Sequence, residues 1–257
     1  MASYYSHENI DHPVKGRHTS AEIRVGDLDL FSEIGINHEI ESSYYEPTFA
    51  NKGGLDTTQN EVIYEVKPSV DLISLVDSYV EAVLSIQKKD GTDSKDPPSE
   101  EKVFASNNCL GNLWRDMRIS LNGTEIQAGN GLYYVENYIM LLLSLSSEAL
   151  PKYQSAGYYS DLMVSQADPT VTGGDKMILK RYNATKDGAK YKLRAPLFSS
   201  GVTQCSRALP SLSRLQIRYY KAPGGVAVTK GSAGAGEYFV KIEEFIIHLK
   251  RCVYTKK

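Results

Sequence analysis

Apolar and polar positions alternate with a period of two in several stretches of the chain, the spacing that sends successive side chains to opposite faces of a strand. Glu61-Val62-Ile63-Tyr64-Glu65-Val66 does so and stops short of Pro68, whose missing amide hydrogen ends a ladder. The same pattern predicts strands at Met177–Tyr182, Tyr191–Ala195, Leu215–Tyr220 and Tyr238–Tyr254. The last is long enough for one strand or two, and its Lys250, Arg251, Lys256 and Lys257 point to an exit into solvent. Leu28-Asp29-Leu30-Phe31, followed by Ile34, Ile36 and Ile40, predicts that order begins at Leu28 with an extended segment.

The clearest local signal is Met117–Leu121, then Asn122-Gly123, then Thr124–Ile126. Asn-Gly accepts the positive φ values of a tight two-residue turn, so a hairpin is predicted. Tyr133–Leu145 lacks Gly and Pro and sets Tyr134, Tyr138, Leu141, Leu142 and Leu145 on one helical face, which predicts a helix. Ser146-Ser147-Glu148 offers the cap of a second short turn that Pro151 then bends or ends. Leu72, Leu75, Val76, Tyr79, Val80, Val83 and Leu84 also fit helical spacing, although Val80, Ala82, Leu84 and Ile86 alternate as one strand face. On pattern alone this stretch reads as helix.

Residues 1–25 are polar and aperiodic, the profile of a mobile arm, and 26–257 then form a single domain. Lys88–Lys102 holds Asp-Gly and Pro-Pro without one aliphatic residue, and reads as a long solvated loop. Gly231–Gly236 precedes a strand instead of opening a helix, so it is an inter-strand loop and not a phosphate cradle. No repeat of fixed period is present. Many short strands, long loops and few helices predict an all-β fold: an antiparallel two-sheet sandwich, of which the jelly roll is one form, with one or two short helices inserted between strands.

Composition narrows the function by exclusion. With 29 Lys plus Arg against 31 Asp plus Glu, the net charge of −2 does not fit a nucleic-acid-coating protein. Eighteen tyrosines suit half-buried strand faces. Cys109, Cys205 and Cys252 are odd in number and far apart, so reduced thiols are expected. The first residues hold no apolar signal core and the longest apolar run, Ile139–Leu143, is too short to span a bilayer.

Catalytic patterns are missing from the sequence. It has no G-x-S-x-G elbow, and no H-x-H or H-E-x-x-H pair among His7, His12, His18, His38 and His248. Asn122-Gly123-Thr124 and Asn183-Ala184-Thr185 match the glycosylation pattern, and without a secretion signal they are read as chance matches. Arg214–Lys221 interleaves basic and apolar residues, which places Arg214 and Arg218 on the exposed side of a strand rather than in a nucleic-acid groove.

Three blocks together resemble the major capsid proteins of Polinton/Maverick elements and adintovirus-type viruses. They are Gly26–Phe31 with Ile40-Glu41-Ser42 and Tyr45; Asn107–Gly123 with Tyr133-Tyr134, Tyr138 and Leu141-Leu142; and Leu193–Leu197 with Leu209-Pro210, Leu215–Tyr219, Lys221-Ala222-Pro223 and Val240–Glu244. The resemblance implies a double jelly-roll capsid protein of which only the first jelly roll is matched, so the chain is expected to be a fragment, one half of a split protein or a reduced single-sandwich subunit. It also implies that Asp77–Gln87 is a strand, against the helical reading, and the strand is adopted.

The same resemblance implies a self-assembling shell subunit and not an enzyme, made in the host cytoplasm and destined for the virion. Its implied partners are further copies in a trimer or hexamer-like capsomer and other capsid proteins such as a penton. Nucleic acid would be met only through the N-terminal arm, and no cofactor or metal is expected. Candidate assembly contacts are Phe31, Tyr134, Tyr138 and Tyr219, with the 88–102 and 224–236 loops. A single jelly-roll penton or minor capsid protein, and more remotely a lectin-like sandwich, are the alternatives.

Overall fold

The turn at Asn122-Gly123, with φ of 51° and 83°, is the tip of a long antiparallel ribbon. Strands β6 (Trp114–Leu121) and β7 (Thr124–Gln127) pair across it. Outside them β3 (Leu72–Asp90) pairs with β8 (Tyr191–Pro196), β2 (Glu61–Val66) with β9 (Leu215–Lys221), and β1 (Ile40–Phe49) with β11 (Tyr238–Tyr254). Every pairing is antiparallel and each encloses the one before. The ribbon then rolls up as β11 joins β3 and β9 joins β6, giving one sheet ordered β1-β11-β3-β8 and a second ordered β2-β9-β6-β7. This order, two four-stranded sheets from a rolled ribbon, is the jelly roll.

The computed structural model describes residues 40–51, 55, 60–90, 93–144, 153–159, 169–170, 176–197, 208–230 and 236–254. All lie in the compact unit Ile34–Lys257. Small elements complete the frame: β4 (Asp93–Lys95) beside β3, and β5 (Phe104–Ala105) paired with β10 (Val228–Thr229). Helices among the described residues include α1 (Cys109–Asn112), α2 (Tyr133–Ser144) and α3 (Lys176–Thr185).

Alternation decides which residues fill the space between the sheets. Val62, Tyr64 and Val66 of β2, Leu215, Ile217 and Tyr219 of β9, and Ile247 and Leu249 of β11 are buried, while their neighbours in sequence face out. The centre is aromatic: the Trp114 ring lies 4.8 Å from Tyr219 and 4.9 Å from Phe245, and Tyr219 lies 5.5 Å from Phe245. Tilted and edge-on pairs of this kind add about 0.5–1.5 kcal/mol each beyond the area they bury.

One adopted reading is borne out and three expectations are corrected. Leu72–Asp90 is one strand, as the capsid resemblance implied and the periodicity did not. The cause is a bulge: from Ser74 to Tyr79 the strand takes five steps where β11 takes two, from Lys250 to His248. An odd excess flips the alternation, so Ile73 points inward before it, Leu75 within it, and Val80, Ala82, Leu84 and Ile86 after it. That change of phase imitates helical spacing. Met177–Tyr182, predicted as strand, lies in α3, because Ile178, Arg181, Tyr182 and Thr185 are the buried set and their spacing is helical.

The Lys88–Lys102 stretch is not all loop. β3 runs on to Asp90 and β4 pairs back on it, through Lys88 with Lys95 and Asp90 with Asp93, a polar pairing with no alternation to betray it. Arg251, expected in solvent, is 2% exposed. Its Nε donates to Glu46 Oε2 at 2.6 Å, and the ion pair is what permits its burial.

Candidate assembly surface

The segment Asn107–Trp114 builds the seat for α2. Asn107 holds the 153–159 segment, its Oδ1 accepting from Tyr159 N at 2.8 Å and its Nδ2 donating to Tyr159 O at 2.7 Å. Asn108 takes a left-handed backbone, φ 56°, and donates from Nδ2 to Asn137 Oδ1 of α2 at 2.9 Å in a buried contact. Gly111 leaves room for that pair, since a Cβ there would stand 2.5 Å from Asn108 Nδ2 and 2.8 Å from Asn137 Oδ1. Cys109, Leu110 and Trp114 fill the core beneath, and burial pushes the Cys109 thiol up to about 12.

Helix α2 is apolar on two opposite faces. Tyr133, Asn137 and Leu141, one per turn, are buried against the sandwich. Burial holds the Tyr133 phenol well above its ordinary pKa. On the other side Leu132, Val135, Ile139, Leu142 and Leu143 form a continuous exposed stripe, with Leu142 56% and Leu143 80% exposed. A helix hydrophobic all round belongs in an interior, and a contiguous exposed patch on a folded domain marks an interaction surface.

Strand β1 is a second exposed element. Among the described residues it closes one edge of its sheet and pairs only with β11, so no described strand lies along its outer row of backbone groups. Ile40, Tyr44, Tyr45 and Phe49 are all exposed along it. The Tyr44 hydroxyl donates to Asp71 Oδ2 at 2.8 Å.

The sequence-predicted contacts scatter. Tyr134 and Tyr138 do lie on α2, half-buried on the flank between its two faces, with the Tyr138 ring 6.2 Å from Tyr158. Leu142, grouped with them from periodicity, is on the exposed stripe instead. Tyr219 is 2% exposed and part of the aromatic core. Phe31, the arm 1–25, the Ser146–Glu148 turn, Cys205, His38 and most of the Gly231–Gly236 loop lie outside the described residues. The stripe itself was missed, although its 132, 135, 139, 142 spacing is the ordinary signal of a helical face.

At the end of the sandwich where β3 meets β4, Lys88 pairs with Glu101, and Tyr238 donates to the other oxygen of the same carboxylate. The Lys230 ammonium lies 5.4 Å over the Tyr238 ring. His248 stacks on Tyr79 at 4.5 Å and faces Glu81 Oε2 at 3.4 Å. Among the described residues no group of three or more His, Cys, Asp or Glu side chains could hold a metal ion, and no helix is long and apolar enough to cross a membrane.

The fold defined by these strands is shared with a chain of a solved virophage structure. A chain of the Sputnik virophage, solved by cryo-electron microscopy, superposes with a TM-score of 0.57 at 8% identity, over 99% of this chain and 53% of that one. The mavirus major capsid protein matches at 0.46 and 11% identity, over 98% of this chain and 54% of that one. A chain of the PBCV-1 virus capsid matches at 0.48 and 12% identity, over 88% and 45%. The chain thus spans about half the length of the solved structures it matches. No protein-family model matches the sequence, and no curated protein does.

Proposed function

We propose that this chain is a structural subunit of a viral or virus-like shell and works by packing side by side with other β-sandwiches through α2. The observation that carries this is the exposed stripe Leu132, Val135, Ile139, Leu142 and Leu143, standing on a rigid jelly roll of the kind present in the Sputnik virophage. Burying one such side chain contributes roughly 1.5–3 kcal/mol, so five on one helix are enough to drive association. The three sequence blocks that resemble Polinton/Maverick and adintovirus-type capsid proteins support placement in that branch. Its partners are then further copies, in a trimer or hexamer-like capsomer, or a second jelly roll that completes the pair, with a penton at the vertices. Residues 1–25 act as an arm ahead of the single domain 26–257, and the virion is the site of action.

The test is assembly of the full chain, followed by sedimentation velocity and electron microscopy, for the native sequence and for the double variant Ile139→Glu, Leu143→Glu. The native chain forms capsomers or shells, whereas the variant stays monomeric with an unchanged thermal midpoint. A native chain that remains monomeric at high concentration, and has no partner chain in particles, overturns the proposal. Five-fold in place of three- or six-fold rings would assign it to the penton class.

A further inference from the structure

The bulge in β3 opens a cleft on the outer face of the β1-β11-β3-β8 sheet. Its volume is about 350 Å³, and it is lined by residues of β1, β3 and β8, among them Tyr45, Val76, Asp77, Tyr79, Arg194 and Pro196, with Ser155. The bulge is held by Ser78, whose hydroxyl donates to Ser74 O at 2.6 Å and accepts from Lys250 N at 3.0 Å. The cleft is therefore a fixed feature of the strand and not a surface accident.

Its chemistry is that of a receptor for a carboxylate. The Arg194 guanidinium lies 3.7 Å over the Tyr79 ring, which fixes its plane before any ligand arrives. Of the two carboxylates nearby, that of Asp77 is engaged elsewhere. Asp77 Oδ2 takes Lys250 Nζ at 2.9 Å and Ser74 Oγ at 3.1 Å, and Glu81, the register neighbour of Arg194, faces His248. The five N–H donors of Arg194 meet no acceptor among the described residues, and the Tyr45 and Tyr79 hydroxyls have no protein partner among them either. An unpaired planar guanidinium suits bidentate binding of a carboxylate, and the two hydroxyls can serve a polyol, each as donor or acceptor.

We propose that this cleft binds one carboxylated sugar, with its carboxylate on Arg194, its hydroxyls on Tyr45 and Tyr79, and its C–H face against Val76 and Pro196. Size favours a single ring, because the cleft stands at the small end of the roughly 300–1,000 Å³ range of ligand pockets. An extended acidic peptide is disfavoured because no unpaired strand edge lines the cleft. β3 is paired on both sides from Tyr79 onward, through His248 and Pro196, the bulged stretch before it is folded on itself by the Ser78 hydroxyl on Ser74 O and offers no regular edge, and the outer edge of β8 is closed by Arg194 N donating to Ser155 O at 2.9 Å. The proposal stands apart from the shell reading, since it uses neither α2 nor the outer edge of β1.

The test titrates the full chain with the α-methyl glycoside of N-acetylneuraminic acid, its methyl ester, glucuronic acid and neutral N-acetylglucosamine, by saturation-transfer NMR and calorimetry. Both acids bind, whereas the ester and the neutral sugar bind about tenfold more weakly or worse, the loss expected from one charge-assisted pair. Arg194→Gln reduces acid binding by a similar factor, and Tyr45→Phe reduces it by less. Equal binding of acid and ester overturns the proposal, as does no acid binding up to tens of millimolar, or a folded Arg194→Gln that binds normally. So does a glutamate-containing hexapeptide that binds where the sugars do not. Should Arg194→Gln fail to fold, the acid-against-ester comparison on the native chain decides. Sedimentation of the same samples keeps the two proposals separable, because Arg194 lies on β8, outside α2 and β1, and assembly is unaffected in a folded Arg194→Gln.

Discussion

The Tyr64 hydroxyl donates to the Phe245 carbonyl at 2.8 Å, a buried hydrogen bond that ties β2 of one sheet to β11 of the other. The ring is completely buried, 5.9 Å from Phe245 and 6.2 Å from Tyr219. Burial pushes the phenol far above its usual pKa, so it remains a donor at every working pH. Tyr64→Phe keeps the ring and strands the carbonyl without a partner in the interior. The expected cost is about 1–3 kcal/mol, which for a domain of this size lowers the thermal midpoint by roughly 2–4 °C per kcal/mol. Scanning calorimetry on a variant with native far-ultraviolet circular dichroism checks this, and an unchanged midpoint refutes it.

The hairpin tip carries more than its own turn. Asn122 N donates to Arg214 O at 2.9 Å and Asn122 Oδ1 accepts from Arg214 N at 2.8 Å, so the tip of β6-β7 also sets where β9 begins. Gly123 has φ 83° with open space around it, so Gly123→Ala meets no clash and suffers only the backbone penalty, about 1–2 kcal/mol. Asn122→Ala removes a side-chain acceptor that the next strand uses and is expected to cost about as much. Urea denaturation of the two variants and their double measures whether the effects add, and the shared turn predicts that they do not.

The strands were legible wherever alternation ran unbroken, as in Glu61–Val66 and Leu215–Lys221, or held a regular phase on either side of a single bulge, as in Tyr238–Tyr254, and Asn122-Gly123 named its turn outright. The buried place of Tyr219 was also implicit, since it shares a face with Leu215 and Ile217 once the charges of Arg214 and Arg218 are put outside. β3 was hidden because its bulge inverts the alternation midway. On α2 the element was legible and its orientation was not. When Leu and Ile surround a helix, nothing in the order of residues says which side meets the core. That choice rests on Asn137, which Asn108 reaches from a segment far away in sequence. The cleft at Arg194 left no sequence signal, because bulge, β8 and β1 meet only through the rolled ribbon.

Gly111 tests the seat of α2 directly. A methyl group there displaces Asn108 or Asn137 and breaks their buried bond, so Gly111→Ala is expected to cost about 1–3 kcal/mol. Hydrogen exchange of the Tyr133–Ser144 amides accelerates while that of β2 and β9 stays slow. Unchanged exchange across α2 would mean that the helix is held by Tyr133 and Leu141 without the asparagine pair.

Glu101 makes one end of the sandwich sensitive to acid. Burial raises its pKa, but the hydrogen bonds from Lys88 and Tyr238 together outweigh this and hold it below its ordinary 4.5. A carboxylate whose folded pKa is depressed contributes stability that is complete above its unfolded pKa and is lost as the pH falls through the folded value. The tie between β3, the Ser99–Glu101 turn and β11 is therefore intact at neutral pH and loosens below about 4.5. Tyr238 sets the opposite limb. Burial first, and its bond to Glu101 second, push its phenol from 10.0 up to about 12, so its contribution is complete below 10.0 and is lost as the pH rises through about 12. Thermal midpoints measured against pH should fall at both ends for the native chain. Glu101→Gln flattens the acid limb and Tyr238→Phe the alkaline one, and each weakens the other limb in part, because the two groups share one hydrogen bond. An acid limb that survives in Glu101→Gln would assign the titration to another carboxylate.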